Sequence, residues 1–221
     1  MHNVVDKIIS IKKEIQEKII EEKLGNYKPT IVAISKTFSI DKILPLINYG
    51  HDHFGENKVQ EAEKKWGELK KNNNNLKLHM IGRLQSNKAK KAVDLFDYIH
   101  SLDNEKLAKE LSKRQQEKGK NLGYFIQINL GSEDQKGGLE ITEFKSFYDH
   151  CVNKLNLSVL GLMAIPPNNN QTEKYFKEIS DLNKKFKLPQ LSLGMSNDYL
   201  LALKYDASFV RIGSAIFGSR N

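Results

Sequence analysis

The chain has 221 residues, 39% of them hydrophobic, a single cysteine and a formal net charge of +8. One cysteine excludes an internal disulfide and a cysteine-based metal cluster. No apolar run approaches the roughly 20 residues of a membrane helix, and the charges among residues 6–14 exclude the apolar core of a signal peptide. A cytoplasmic protein is expected, forming one domain over residues 1–221. The positive charge raises nucleic-acid binding. Its lysines, however, alternate with glutamates and asparagines, and the densest patch (Lys88, Lys90, Lys91) carries no aromatic platform. A solvated lysine-rich surface is expected, with no nucleic acid and no membrane among the partners.

Val4, Ile8, Ile11, Ile15 and Ile19 recur at intervals of three and four. They predict an amphipathic helix within residues 1–25, closed by Gly25 and packed on the rest of the domain. After a Lys28-Pro29 breaker, Ile31–Ile34 predicts a buried strand running into Ser35-Lys36-Thr37. Strand side chains alternate, so Val32, Ile34 and Lys36 share a face and the Lys36 ammonium projects from the strand's carboxyl end. Such a lysine is either a solvated residue leaving a strand or a desolvated amine able to condense with an aldehyde.

Ser39 predicts a cap for a helix through Ile43, Leu44 and Ile47 to Gly50, kinked or started late by Pro45. A second strand runs from His51 towards Asn57, followed by a helix through Val59, Ala62, Trp66 and Leu69. His51 and His53 flank Asp52, but two histidines without a third ligand do not make a metal site, and none is expected. Further strands are predicted at Leu76–Gly82, Phe96–Leu102, Tyr124–Leu130, Leu157–Ala164, Leu191–Met195 and Ala207–Gly213. Ser86 and Asn197 are expected to cap helices, Asp103 to start one and Thr142 to precede one through Phe144, Phe147 and Cys151; a further helix is expected over Thr172–Phe186, with Cys151 as core filler. A polar loop with Lys136-Gly137-Gly138 follows the fifth strand, and Ala215–Gly218 predicts a last helical turn. Eight strands spaced roughly 20 to 30 residues apart predict parallel strands closed into an α/β barrel of the (β/α)8, or TIM, type. An open doubly wound sheet would normally show a Gly-x-Gly-x-x-Gly turn after the first strand, and none is present.

In such a barrel the working residues lie at the carboxyl ends of the strands, and a phosphate often sits at the loops after strands seven and eight. Those loops read Gly194-Met195-Ser196-Asn197 and Arg211-Ile212-Gly213-Ser214. Ser196 and Ser214 bring hydroxyls, Gly213 permits close backbone approach, and amides at a helix start favour an anion. Ordinary strand-to-helix turns use the same residues, so both readings stand. If Val210 and Ile212 face the helices, Arg211 faces the barrel mouth. Its guanidinium needs an acceptor, either a glutamate on another strand or an aromatic ring nitrogen. A phosphorylated ring with an aldehyde, a ring-nitrogen partner and a reactive lysine describes pyridoxal phosphate.

The stretches Ala33-Ile34-Ser35-Lys36-Thr37, Phe54-Gly55-Glu56-Asn57-Lys58-Val59-Gln60-Glu61, His79-Met80-Ile81-Gly82-Arg83-Leu84-Gln85-Ser86-Asn87-Lys88, Gly161-Leu162-Met163-Ala164-Ile165-Pro166, Leu193-Gly194-Met195-Ser196 and Arg211-Ile212-Gly213-Ser214-Ala215-Ile216-Phe217-Gly218 run in that order. In them the chain resembles the pyridoxal phosphate homeostasis family, single-domain relatives of the barrel domain of alanine racemase. The resemblance implies an alanine racemase N-terminal-domain-like TIM barrel with an extra N-terminal helix, and pyridoxal 5'-phosphate as cofactor. It implies that Lys36 holds the cofactor as a Schiff base, Asn57 lies beside it, Arg211 faces the pyridine nitrogen, and Ser196, Gly213 and Ser214 hold the phosphate. Ser214 stands where the family usually has threonine, Asn197 replaces a usual aspartate, Leu200 a usual glutamate and Leu78 a common tryptophan. None of these departures removes a donor from the implied cofactor set.

An arginine at the ring nitrogen only donates, which leaves that nitrogen unprotonated and the ring a poorer electron sink. The chain also ends eight residues after Gly213, without room for the racemase's second domain and its acid-base tyrosine. The expected function is therefore buffering or delivery of pyridoxal phosphate, with apo-enzymes that use it as partners, no catalytic residue and no turnover. A monomer is expected. The alternatives are a weak racemase or decarboxylase using the same cofactor, and a basic barrel that binds nucleic acid.

Overall fold

The computed structural model describes residues 3–131, 137–167 and 169–219; Lys136, singled out in the loop after the fifth strand, lies outside them. Eight parallel strands close into a barrel in sequence order. They are β1 (Thr30–Ile34), β2 (His53–Glu56), β3 (Lys77–Met80), β4 (Tyr98–Leu102), β5 (Gly123–Ile128), β6 (Ser158–Ala164), β7 (Gln190–Met195) and β8 (Phe209–Ile212). The helices among the described residues are α1 (Val4–Glu21), α2 (Ile40–Asn48), α3 (Val59–Asn72), α4 (Ala89–Leu95), α5 (Glu105–Lys118), α6 (Ile141–Asp149), α7 (Thr172–Lys185), α8 (Tyr199–Leu203) and α9 (Ser214–Phe217). Closure comes from β1 against β8, with Thr30 opposite Phe209 and Val32 opposite Arg211.

Alternation along the strands divides the core in two. Val32, Ile34, Phe125, Met163 and Phe209 fill the barrel interior. Ile31, Ala33, Val210 and Ile212 belong to the larger layer between barrel and helices. Arg211, between two outward apolar residues, is thereby turned inward, as the strand period requires. Helix α1 buries Ile8, Ile11, Ile15 and Ile19 and packs against α2, α8 and α9. Each such burial is worth about 1.5–3 kcal/mol.

The helix starts differ from expectation by small shifts with local causes. Asn104, not Asp103, caps α5: its Oδ1 accepts from Leu107 N at 2.9 Å. Ser86 opens a 3-10 turn, Ser86–Lys88, that precedes α4. Helix α6 starts at Ile141, one residue before Thr142, and passes into a π-helical turn, His150–Lys154. That turn buries Cys151 and pushes its thiol up to about 12. Helix α8 follows Asp198 rather than Asn197, and Asp198 Oδ1 accepts from Met195 N at 2.5 Å. Helix α2 starts on time after Ser39 and runs through Pro45. In α1 the helix stops at Glu21, before Gly25, because Lys23 already turns left-handed at φ +55°.

Candidate functional site

The carboxyl ends of the strands open onto a cavity of about 730 Å³. Lys36, Asn57, Ser196, Arg211, Gly213 and Ser214 all line it. The structure thus brings together at one place the six residues singled out in the sequence, from four different strand ends.

Lys36 sits on the turn after β1, two residues past the strand, and its backbone is held on both sides. Ser35 Oγ donates to Glu56 Oε1 at 2.7 Å, and Ser35 O accepts from Lys65 Nζ at 2.8 Å. Beyond it, Thr37 N donates to Glu61 Oε1 at 2.6 Å. Thr37 is left-handed at φ +69°, an unusual conformation for a β-branched residue that costs about 1–3 kcal/mol. The anchor of this clamp is the pair Glu56–Lys65, 2.9 Å apart with side chains 0% and 8% exposed. Trp66 Nε1 also donates to Glu56 Oε1, at 2.9 Å. Sequence reading missed Glu56 and Lys65. The available signal was a glutamate in an apolar strand with a lysine nine residues on.

Asn57 follows β2 directly and lines the cavity half-buried; its Oδ1 is buried and makes no hydrogen bond within the protein. Gly82, past β3, is what lets it sit there: a Cβ on Gly82 would lie 2.4 Å from Asn57 O and 2.7 Å from Asn57 Cβ. No side chain larger than hydrogen fits without moving Asn57.

Arg211 is 4% exposed. Its Nη1 donates to Ser192 O at 2.7 Å and to Ser192 Oγ at 2.6 Å, and its Nη2 donates to Ala164 O at 2.9 Å. The acceptors are neutral; among the described ion pairs none involves Arg211. Burial lowers its pKa to about 10, with Asp198 opposing that shift from across the cavity. It therefore stays a cation and a donor at neutral pH.

At the last two turns, Ser196 Oγ accepts from Gly213 N at 3.2 Å and from Ala215 N at 3.3 Å. A Cβ at Gly213 would lie 3.3 Å from Ile34 Cβ, so the small residue draws the end of β8 against the end of β1. Ser214 is exposed at the rim. Lys36, Arg83 and Arg211 line the cavity against one carboxylate, Asp198, among the described residues, a balance that favours an anionic ligand. The donor set fits pyridoxal phosphate: an amine for the aldehyde, a charged donor for the ring nitrogen, a buried amide oxygen still to be satisfied, and hydroxyls with backbone amides for the phosphate.

His51 and His53 go elsewhere. His51 Nε2 pairs with His53 O at 2.9 Å, and His53 points into the barrel towards His79.

Comparison with known proteins places the chain in a family. Residues 16–221 match the family model of the alanine racemase N-terminal domain. The pyridoxal phosphate homeostasis protein of Aquifex aeolicus is 35% identical over 227 residues, which cover 99% of each chain. The protein of that name from Haemophilus influenzae is 35% identical over 229 residues, covering 99% of this chain and 97% of its own. PipY of Synechococcus elongatus, solved with pyridoxal phosphate bound, superposes with a TM-score of 0.78 at 31% identity, covering 92% of this chain and 100% of that one.

Proposed function

Since the chain belongs to the family of the alanine racemase N-terminal domain, and within it to the pyridoxal phosphate homeostasis proteins, we propose that it binds pyridoxal 5'-phosphate at the barrel mouth and serves to buffer or deliver it. The single observation that carries this reading is the convergence of Lys36, Asn57, Arg211, Ser196, Gly213 and Ser214 on one cavity. When bound, the cofactor supplies an aldehyde that bonds covalently to an amine and a ring that draws electrons from that bond.

In this reading Lys36 supplies the amine, and the Glu56–Lys65 clamp keeps its turn rigid. Arg211 donates to the ring nitrogen and leaves it without a proton. Asn57 lies beside the ring. Ser196, Gly213 and Ser214 hold the phosphate, the Ser196 hydroxyl being set in place by the Gly213 and Ala215 amides, with Lys36, Arg83 and Arg211 supplying positive potential. Delivery rather than turnover is favoured by the same residues. A ring facing a guanidinium is held as the weaker electron sink, and the one lining carboxylate among the described residues, Asp198, is engaged with the Met195 amide. Recipients of the cofactor are apo-enzymes that use it. In this reading the protein is a monomer; among the described residues the exposed large apolar side chains are Ile9, Ile20, Tyr49 and Met195.

The test is loading followed by borohydride reduction and peptide mass spectrometry. A pyridoxyl group is expected on Lys36, and Lys36→Ala should lose the adduct completely while keeping its fold. Stoichiometric transfer to an apo-enzyme without amino-acid turnover is the expected second result; sustained racemisation or decarboxylation by the purified protein would overturn the carrier reading.

A further inference from the structure

Within the barrel, three histidines from consecutive strands form a row that ends beside Arg211. His53 Nδ1 of β2 lies 2.8 Å from His79 Nε2 of β3, and His79 Nδ1 lies 2.9 Å from His100 Nε2 of β4. His100 Nδ1 lies 2.9 Å from Ser192 Oγ of β7, the same oxygen that accepts from Arg211 Nη1. His79, His100 and Ser192 are fully buried. His53 is half-buried at the amino end, where it lines a separate cavity with His51 and Asp52. The proposed cofactor chemistry uses none of the three rings.

The guanidinium fixes the direction of this row. It has donors only, so Ser192 Oγ accepts from it and must spend its own proton elsewhere. The ring nitrogen in reach is His100 Nδ1. A neutral imidazole that accepts at Nδ1 carries its proton on Nε2, and His100 Nε2 then donates to His79 Nδ1. The same step repeats: His79 Nε2 donates to His53 Nδ1, and the His53 proton falls on Nε2, towards Asp52 Oδ1 at 3.9 Å. The opposite order would give Ser192 Oγ two donors and leave its own proton buried without an acceptor.

We propose that Ser192, His100, His79 and His53 are positioning residues for Arg211: a one-way relay of hydrogen bonds, oriented by the guanidinium, through which a proton taken up at the barrel floor alters the contacts that hold Arg211. Its effect on a bound ring rests on the cofactor reading of the cavity; the relay itself does not. A solvent proton added at His53 Nδ1 faces the His79 Nε2–H donor to donor. The row re-forms only if His79 and His100, each keeping one proton, move it from Nε2 to Nδ1. His100 then donates towards Ser192 Oγ, against the Arg211 donor. The groups facing the relay are Asp52, Lys77 and Asp97 around His53, Lys70 and His51 near His79, and Arg211 beside His100. Burial lowers the pKa of each ring, so the relay is neutral at pH 7.

The test is 15N NMR of the histidine-labelled, cofactor-free full chain. At neutral pH, His53, His79 and His100 should each show a protonated Nε2 and a bare Nδ1, and Ser192→Ala should release His100 from that single tautomer. A protonated Nδ1 on any of the three in the native protein overturns the relay. With cofactor loaded, the visible spectrum should shift over the pH range in which His53 titrates, and His53→Gln should abolish that shift. A native spectrum indifferent to the titration of His53 overturns the coupling to the ring. Absence of any cofactor on Lys36 overturns the reading of the cavity instead, and the tautomers alone then decide the relay.

Discussion

Two buried cations, Lys65 behind the turn that carries Lys36 and Arg211 in the cavity wall, are treated in opposite ways. Lys65 is 8% exposed and meets a carboxylate, Glu56, that is itself fully buried; its charge is cancelled where it stands. Arg211 is 4% exposed and meets the oxygens of Ser192 and Ala164, which are neutral. The first arrangement is a fastener, because neither charge remains to act on anything else. The second keeps a positive charge in a poorly screened place, which costs stability unless a ligand or a field uses it. A buried cation without a carboxylate is thus a better marker of a binding site than a buried ion pair.

This contrast can be broken by experiment. Lys65→Met leaves the Glu56 carboxylate buried and unpaired, and should cost about 3–5 kcal/mol in urea unfolding; a loss below 1 kcal/mol would mean that the pair is no fastener. Acid should act next most strongly, through the histidines at the barrel floor. Burial lowers His51 from 6.5 to about 4. Its folded pKa lies below the unfolded one, so its contribution is fully present above pH 6.5 and is lost as the pH falls towards 4. That amounts to about 3 kcal/mol at 1.36 kcal/mol per pH unit. His79 and His100 shift in the same direction. Unfolding midpoints measured between pH 7.5 and 4.5 should fall steadily, and a flat profile would remove the buried neutral rings from the account. Arg211→Met should have the smallest effect on stability, about 1–3 kcal/mol, because it strands only neutral acceptors. The same change should visibly shift the absorption of the loaded protein. An unchanged spectrum would take Arg211 away from the ring.

Much of this was legible in the chain. Apolar runs such as Ile31–Ile34 and Leu157–Ala164 announced strands because parallel strands are covered on both faces. Arg211 between Val210 and Ile212 announced an inward charge. The helix starts were read less well: Asp103 and Asn104, or Asn197 and Asp198, are adjacent residues of similar capping ability, and only the backbone path selects one. What could not be read was pairing across the fold. Ser192 matters because β7 lies beside β8, and Gly82 because β3 brings it against Asn57. Likewise, His79 and His100 were plain strand residues until the register of the β2–β3–β4 sheet set them in a row with His53.

The pairing of β1 with β8, and of α1 with α9, has a temporal consequence. Lys36 is synthesised long before Gly213 and Ser214, which follow the strand that pairs with β1. On the proposed reading, a nascent chain carries the Lys36 amine long before it has the residues assigned to the phosphate or the barrel wall that shelters the amine. On the proposed reading, cofactor capture waits for synthesis of β8 and the turn after it, and a chain stopped before Phe209 would lose both.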